Sequence, residues 1–284
     1  MQTRWHFSDS DSAWLSAALA FVARAEQAAL TARGEFHIVL AGGNTPRMVY
    51  EALARETHDW LRWRVWFGDE RCLPADHPER NSVMARALLE RISAASGNPH
   101  PADMNEAAGE RGFPLYQRGI EVPKGRGFIR DLPTSAAGTG INPPRPPFDK
   151  GESIHTIPGE LGPVKAAAAY ADDLVGVGDF DLVILGLGED GHTASLFPGY
   201  VPKPEADALA VFDAPKPPPE RVSLSASRLS RARHVLFLVS GLGKREALRH
   251  WRAGTPPIPA ATIQPEAGVD VLLAPDLSVP GVFP

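Results

Sequence analysis

His192 is the residue of this 284-residue sequence best placed to act as a base. It lies in "LGLGEDGHTASLFPG", Leu185 to Gly199, two positions after Asp190 and directly after a glycine. A neutral imidazole accepts a proton near neutral pH, and an adjacent carboxylate can orient the ring or stabilise its protonated form. A lone histidine is usually structural. This one follows an apolar run and a glycine turn, the place where an open α/β sheet presents its ligands. Thr193 and Ser195 add hydroxyls, but Ser195 lacks the G-x-S-x-G elbow that exposes a nucleophilic serine.

The same stretch carries a rival reading. Gly186, Gly188 and Gly191 have the G-x-G-x-x-G spacing of a dinucleotide-binding turn, and Asp213 stands about twenty residues on, where a ribose-binding acid belongs. Such a turn must open a long helix at its third glycine. Pro198, Gly199, Pro202 and Pro204 forbid one, so the cofactor reading fails on context.

Three further strand ends suit an anionic ligand. In "LAGGNTPRMVY", Gly42 and Gly43 let backbone amides approach a phosphate, Thr45 can cap the following helix, and Pro46 suits its first position. A tight strand-to-helix turn without a ligand has the same signature. In "VWFGDERCLPADHPERNSVMA", Arg71 offers a bidentate fork that an acidic neighbour can hold in place. Arg80 is a weaker candidate, and His77 reads as exposed. In "LVSGLGKREAL", Lys244 follows another glycine turn, either as a point charge for a phosphate or as a solvated helix start. Arg245 stands where a Walker loop needs serine or threonine.

The elements that must position these residues alternate along the chain. Asp11 to Arg33 reads as an amphipathic helix with Trp14, Ala18, Phe21, Val22, Ala25 and Ala29 on one stripe and Gly34 as its stop. The runs "FHIVLAGG", "RVWFGD", "DLVILGLG", "HVLFLVSG" and "VDVLLAP" are apolar enough for strands buried on both faces. The segments "MVYEALARE", "VKAAAAYADDLV" and "KREALRHW" read as helices between them. The expectation is an α/β fold, a doubly wound, mostly parallel sheet with helices on both faces. Residues 1–284 read as one domain interrupted at about 96–152, where a Pro/Gly-rich inserted loop holds neither period.

Composition narrows the partners. A formal charge of −5 gives no general attraction to nucleic acid, so an anionic ligand must be held by local cations and amides. No apolar run is long enough to span a bilayer, and the N-terminus lacks a signal core, which predicts a cytoplasmic protein with no membrane partner. The single cysteine, Cys72, fits a reducing compartment and excludes a cysteine zinc cluster.

Taken in order, "AGGNTP", "GDERCLP" with "ERNSVMA", "IHTIPGELGP", "DLVILGLGEDGHTASLFPG" and "LVSGLGKREAL" resemble the 6-phosphogluconolactonases of the pentose phosphate pathway. The resemblance spans nearly the whole chain outside Ser96 to Glu152. It implies hydrolysis of 6-phospho-D-glucono-1,5-lactone to 6-phosphogluconate, with no cofactor and no metal. His192 would be the general base assisted by Asp190, with amides of its glycine turn on the oxyanion. Gly43, Asn44, Thr45, Arg71 and Lys244 would surround the sugar phosphate. The family's usual loop has serine where Asn44 stands, and asparagine also donates a hydrogen bond. The partner implied is a small-molecule sugar-phosphate lactone, and the expected state is a monomer or weak homo-oligomer. Two alternatives stay open: a sugar-phosphate isomerase or deaminase of the same fold, and a non-catalytic sugar-phosphate-binding protein.

Overall fold

A computed structural model describes residues 2–96, 153–201, 203 and 205–277. Its centre is a six-stranded, fully parallel sheet in the order β1-β9-β8-β5-β2-β3. These strands are β1 (Thr3–Phe7), β2 (Phe36–Leu40), β3 (Trp63–Phe67), β5 (Phe180–Leu185), β8 (Ala232–Val239) and β9 (Val269–Leu273). Every residue of β5 and β9 is buried, as continuous apolar runs in the middle of a parallel sheet require. β1 is a strand that the sequence reading did not identify. It is an edge strand with no fully buried residue, so neither an apolar run nor a clean alternation marks it.

The first long helix, α1 (Asp11–Arg33), forms over the expected residues. Ser10 caps it by accepting the Ala13 amide, and Gly34 ends it in the left-handed conformation while returning its N–H to the Leu30 carbonyl. Trp14, Ala18, Val22, Ala25 and Ala29 are buried beneath it, whereas Phe21 is only partly covered. The remaining expected helices become α2 (Asn44–Leu53), α5 (Pro163–Asp173) and α7 (Arg245–Ala253). Three further ones are α3 (Asn81–Met84), α4 (Arg86–Ser96) and α6 (Ala226–Ser230).

From β2 the chain moves to β3 on one side and later to β5, β8 and β9 on the other. Right-handed crossovers running in opposite directions place their helices on opposite faces, which makes the sheet doubly wound. A second sheet, antiparallel and of order β4-β7-β6, was not anticipated: β4 (Asp69–Arg71), β6 (Ala208–Val211) and β7 (Arg221–Leu224). Its strands are too short for any period to show. Gly68 joins the sheets, donating its N–H to Leu40 of β2 and accepting from Leu224 of β7 at 2.7 Å. The Pro/Gly-rich segment expected at 96–152 lies, beyond Ser96, outside the described residues.

Candidate active site

Reversal of the strand order between β2 and β5 opens a crevice at their carboxyl ends, and the glycine turns that follow both strands meet there. A Cβ placed on Gly186 would lie 4.0 Å from the Gly42 carbonyl. Around this point is a cavity of about 310 Å³. Its walls come from four strand ends: Gly42 and Gly43 after β2, Asp69 and Arg71 in β4, Gly186 to Gly188 with His192 to Ala194 after β5, and Lys244 after β8.

His192 lines the cavity with its side chain 19% exposed. Its Nδ1 lies 2.5 Å from Oδ1 of Asp190, which also accepts the His192 amide. Burial opposes ionisation of Asp190, yet the side-chain and backbone hydrogen bonds from His192 outweigh it and hold the carboxyl below its ordinary pKa. An ionised carboxylate here fixes the proton on Nδ1 and leaves the Nε2 lone pair available. Asp190 stands behind the ring, on the wall of a neighbouring groove shared with Phe197 and Tyr200. The turn has room for this pair only because position 188 is glycine, since a Cβ there would fall 2.0 Å from Nδ1 of His192. No helix follows Gly191 directly, in keeping with rejection of the dinucleotide reading.

Two amides of the glycine turn are engaged within the turn itself. Gly188 donates to the His192 carbonyl at 2.7 Å and Gly191 to that of Gly188, so both close the turn. Ser195 is buried, donates its hydroxyl to Oδ2 of Asp69 at 2.5 Å and does not line the cavity. The other oxygen of Asp69 accepts from Asn81, whose amide fills the space next to Gly42: a Cβ on Gly42 would lie 2.0 Å from Asn81 Oδ1.

The remaining candidates divide. Gly42, Gly43, Arg71 and Lys244 line the cavity with His192. Asn44 faces an adjoining groove whose wall also includes Gly43 and Arg71. Thr45 is not a helix cap, because α2 begins one residue earlier with Gly43 as its N-cap and no side-chain capping bond. The Thr45 hydroxyl pairs instead with Ser240 at 2.7 Å, tying α2 to the end of β8, and Pro46 sits third in the helix rather than first.

Arg71 is not held by its acidic neighbour. Glu70 turns inward, accepts the amides of Asn81 and Ser82, and pairs with the buried Arg80, which also reaches Glu160. Burial raises the Glu70 pKa, against the opposing charge of Arg80 and three backbone hydrogen bonds. Arg80 is therefore a structural residue. The Arg71 guanidinium donates to the Glu79 carbonyl and keeps Nε buried without a protein partner. Lys244 is half-buried, and burial lowers its pKa, with Glu189 opposing and Lys216 reinforcing the shift.

Sequence reasoning missed two cations of this wall, Lys216 and Arg221. They belong to "APKPPPERV", which reads only as a proline-rich loop. Arg221 is placed by its register opposite Arg71 across the β4–β7 pair, a relation between distant segments that no local motif announces. Cys72 is half-covered, and burial pushes its thiol up to about 11, which leaves it protonated and unreactive near neutral pH.

The family described as glucosamine-6-phosphate isomerases/6-phosphogluconolactonase matches residues 9–128 and 142–272. A 6-phosphogluconolactonase of Synechocystis sp. is 33% identical over 249 residues, covering 86% of this chain and 84% of its own length. One from Mycobacterium leprae is 32% identical over 263 residues, 90% of this chain and 88% of its own. The crystal structure of a 6-phosphogluconolactonase from Thermotoga maritima superposes with a TM-score of 0.70 at 22% identity, covering 96% of this chain and all of that one.

Proposed function

The chain belongs to the family of glucosamine-6-phosphate isomerases and 6-phosphogluconolactonases, and from that premise we propose that it hydrolyses 6-phospho-D-glucono-1,5-lactone with His192 as general base. It is a hydrolase acting on a lactone, in the oxidative branch of the pentose phosphate pathway. The observation that carries the residue assignment is one cavity holding both an Asp-oriented imidazole and four cations, Arg71, Lys216, Arg221 and Lys244, against one lining carboxylate, Asp69. That balance suits a phosphate dianion at one end and a neutral lactone ring beside the base.

Neutral His192 removes a proton from a water as it attacks the lactone carbonyl. Asp190 stabilises the imidazolium that results. Because the Gly188 and Gly191 amides are engaged in their own turn, the charge developing on the carbonyl oxygen is met by the cations of the wall. Collapse of the tetrahedral intermediate breaks the bond to the ring oxygen, and the imidazolium returns its proton to that oxygen, giving the open-chain acid. A lactone is a reactive ester, so a positioned base contributing about 10²–10⁴-fold is adequate without a covalent intermediate.

The substrate reaches the site as a free small molecule. No helix among the described residues is long and apolar enough to cross a membrane. A cytoplasmic location, supported by the single cysteine, and a monomeric or weakly self-associating state complete the proposal. The decisive experiment is lactone hydrolysis on freshly generated substrate, corrected for spontaneous opening. Ammonia release from glucosamine 6-phosphate in its place would assign the chain to the isomerase side of the family.

A further inference from the structure

The run "TASLFPG", Thr193 to Gly199, follows the base directly and makes two tight turns in succession. Thr193 and Leu196 form an antiparallel bridge, closed by the Leu196 amide on the Thr193 carbonyl at 3.0 Å, with Ala194 at a φ of +48° between them. The next pair outward in that register is His192 and Phe197, which therefore face each other. Phe197 then opens the second turn. Pro198 and Gly199 take its central positions, Gly199 at a φ of +87°, and the Tyr200 amide donates to the Phe197 carbonyl at 2.9 Å. Proline first and glycine second, with positive φ at the glycine, is the chemistry of a type II turn. The same Pro198 and Gly199 that forbid a cofactor helix thus aim an aromatic side chain.

The two turns bring the Phe197 ring to 4.9 Å from the His192 ring, at an interplanar angle of 43°. The first turn is itself fixed, since the Thr193 hydroxyl donates to the Gly186 carbonyl at 2.8 Å and the Ser195 amide donates to the Ser223 hydroxyl at 3.2 Å. Phe197 lines the catalytic cavity on one side and the groove that holds Asp190 on the other. It is the partition behind the base. A histidine χ2 has only a broad, two-fold preference, and one bond from Nδ1 to a carboxylate two residues away leaves the ring free to swing about that bond. Phe197 packed against the imidazole supplies the second restraint.

We infer that Phe197 is a positioning residue for the reaction, holding the His192 imidazole in the orientation in which Nε2 meets the attacking water. The inference rests on the reading of His192 as the base. An apolar ring offers a sugar phosphate no hydrogen bond, so its loss bears on kcat and leaves KM nearly unchanged. The neighbouring cation does not blur that division: Arg221 lies 5.6 Å from the Phe197 ring, but the Lys216, Pro217 and Pro218 carbonyls hold it independently. A reacting group misplaced by about 1 Å loses on the order of 10²-fold in rate, and a base that samples several orientations loses part of that.

The test is steady-state lactone hydrolysis by the wild type and four variants. Phe197→Ala should lower kcat about tenfold or more, with KM within about threefold. Phe197→Leu, which refills most of the volume with apolar atoms, should recover most of the loss. The double variant His192→Ala/Phe197→Ala should be no slower than His192→Ala alone, because Phe197 acts through the imidazole. A kcat for Phe197→Ala within twofold of wild type, a loss carried by KM instead, or losses that multiply in the double variant would each overturn the inference. Wild-type turnover in His192→Ala would overturn the base assignment and the inference together, whereas an inactive His192→Ala beside a fully active Phe197→Ala overturns the inference alone.

Should Phe197→Ala fail to fold, Phe197→Val opens less space and carries the same comparison, with an unchanged kcat again refuting the role. Proton NMR reads the contact without turnover. The imidazole signals that vanish in His192→Ala carry the ring-current shift of Phe197 and should move in Phe197→Leu. Signals left in place would refute the contact even in a protein that hydrolyses no lactone.

Discussion

The hydroxyls of Ser96 and Ser153 meet at 3.2 Å although 57 positions separate them in the sequence. Ser96 ends α4, and Ser153 gives its carbonyl to the Val65 amide of β3 at 2.8 Å, with His155 returning a bond to the Val65 carbonyl. The intervening chain therefore leaves and re-enters the fold at adjoining points, beside β3 at the sheet's edge. Excising 97–152 and joining the two serines through a short linker should preserve both fold and lactonase activity. Each halving of a loop lowers its closure cost by about 0.6 kcal/mol, so stability should rise by roughly 1–2 kcal/mol. Thermal or denaturant unfolding beside an activity assay checks this. A deletion protein with native circular dichroism and no activity would show that the segment contributes to the site.

Arg71→Ala should weaken binding of the phosphorylated lactone by at least about tenfold, and that of the unphosphorylated lactone far less, because the lost contact is charge-assisted and addresses the phosphate. The motivating geometry is a guanidinium on the cavity wall with its Nε buried and unpartnered. Comparison of KM for the two lactones is the measurement, and equal losses would reassign Arg71 to general packing of β4.

How much of this was legible in the sequence depends on how local each feature is. β2, β3, β5, β8 and β9 announce themselves as apolar runs because both faces of a parallel sheet are covered. β1, β4, β6 and β7 do not, since β1 is an edge strand with no fully buried residue and the other three have only three or four residues each. The site follows the same rule. Asp190 and His192 lie two residues apart in one turn, and Gly42 and Gly43 lie in one loop, so residue type and spacing expose them. Arg221 acquires its place through strand register opposite Arg71, and Thr45 loses its expected capping role to a hydroxyl 195 positions away, Ser240. Neither relation leaves a mark in the local sequence.

Asp190→Asn tests whether the carboxylate does more than fill space. Asparagine preserves the shape but removes the charge, and its amide can turn to donate to Nδ1, which moves the imidazole proton to Nε2 and eliminates the base. The expected loss in kcat is on the order of 10²-fold or more. The pH profile carries a second sign. Asp190 is ionised in the native site, its pKa held below the ordinary carboxylate value against the opposing effect of burial. Removing that anion destabilises the imidazolium, so the acidic limb of the remaining activity should move to lower pH. A limb that stays in place, with kcat near wild type, would show that the 2.5 Å contact is not part of the chemistry.

His192→Ala should abolish most lactonase activity, by about 10²–10⁴-fold, while leaving phosphate binding and stability nearly intact. The argument combines position and freedom. β5 delivers the histidine to the ligand-binding edge, Gly188 clears the space its ring occupies, and Asp190 occupies Nδ1, so Nε2 is the nitrogen left for a water. Loss of the ring removes one exposed side-chain hydrogen bond, and Asp190 keeps the backbone amide at position 192. Stability should therefore change little. If neutral imidazole is the base, the wild-type rate falls as the ring becomes protonated, and that acidic limb should be missing from whatever activity the variant retains. Rates for both proteins across the same pH range, with phosphorylated-acid binding measured alongside, separate a catalytic histidine from a structural one. Near wild-type turnover with an unchanged acidic limb would place the base elsewhere in the cavity.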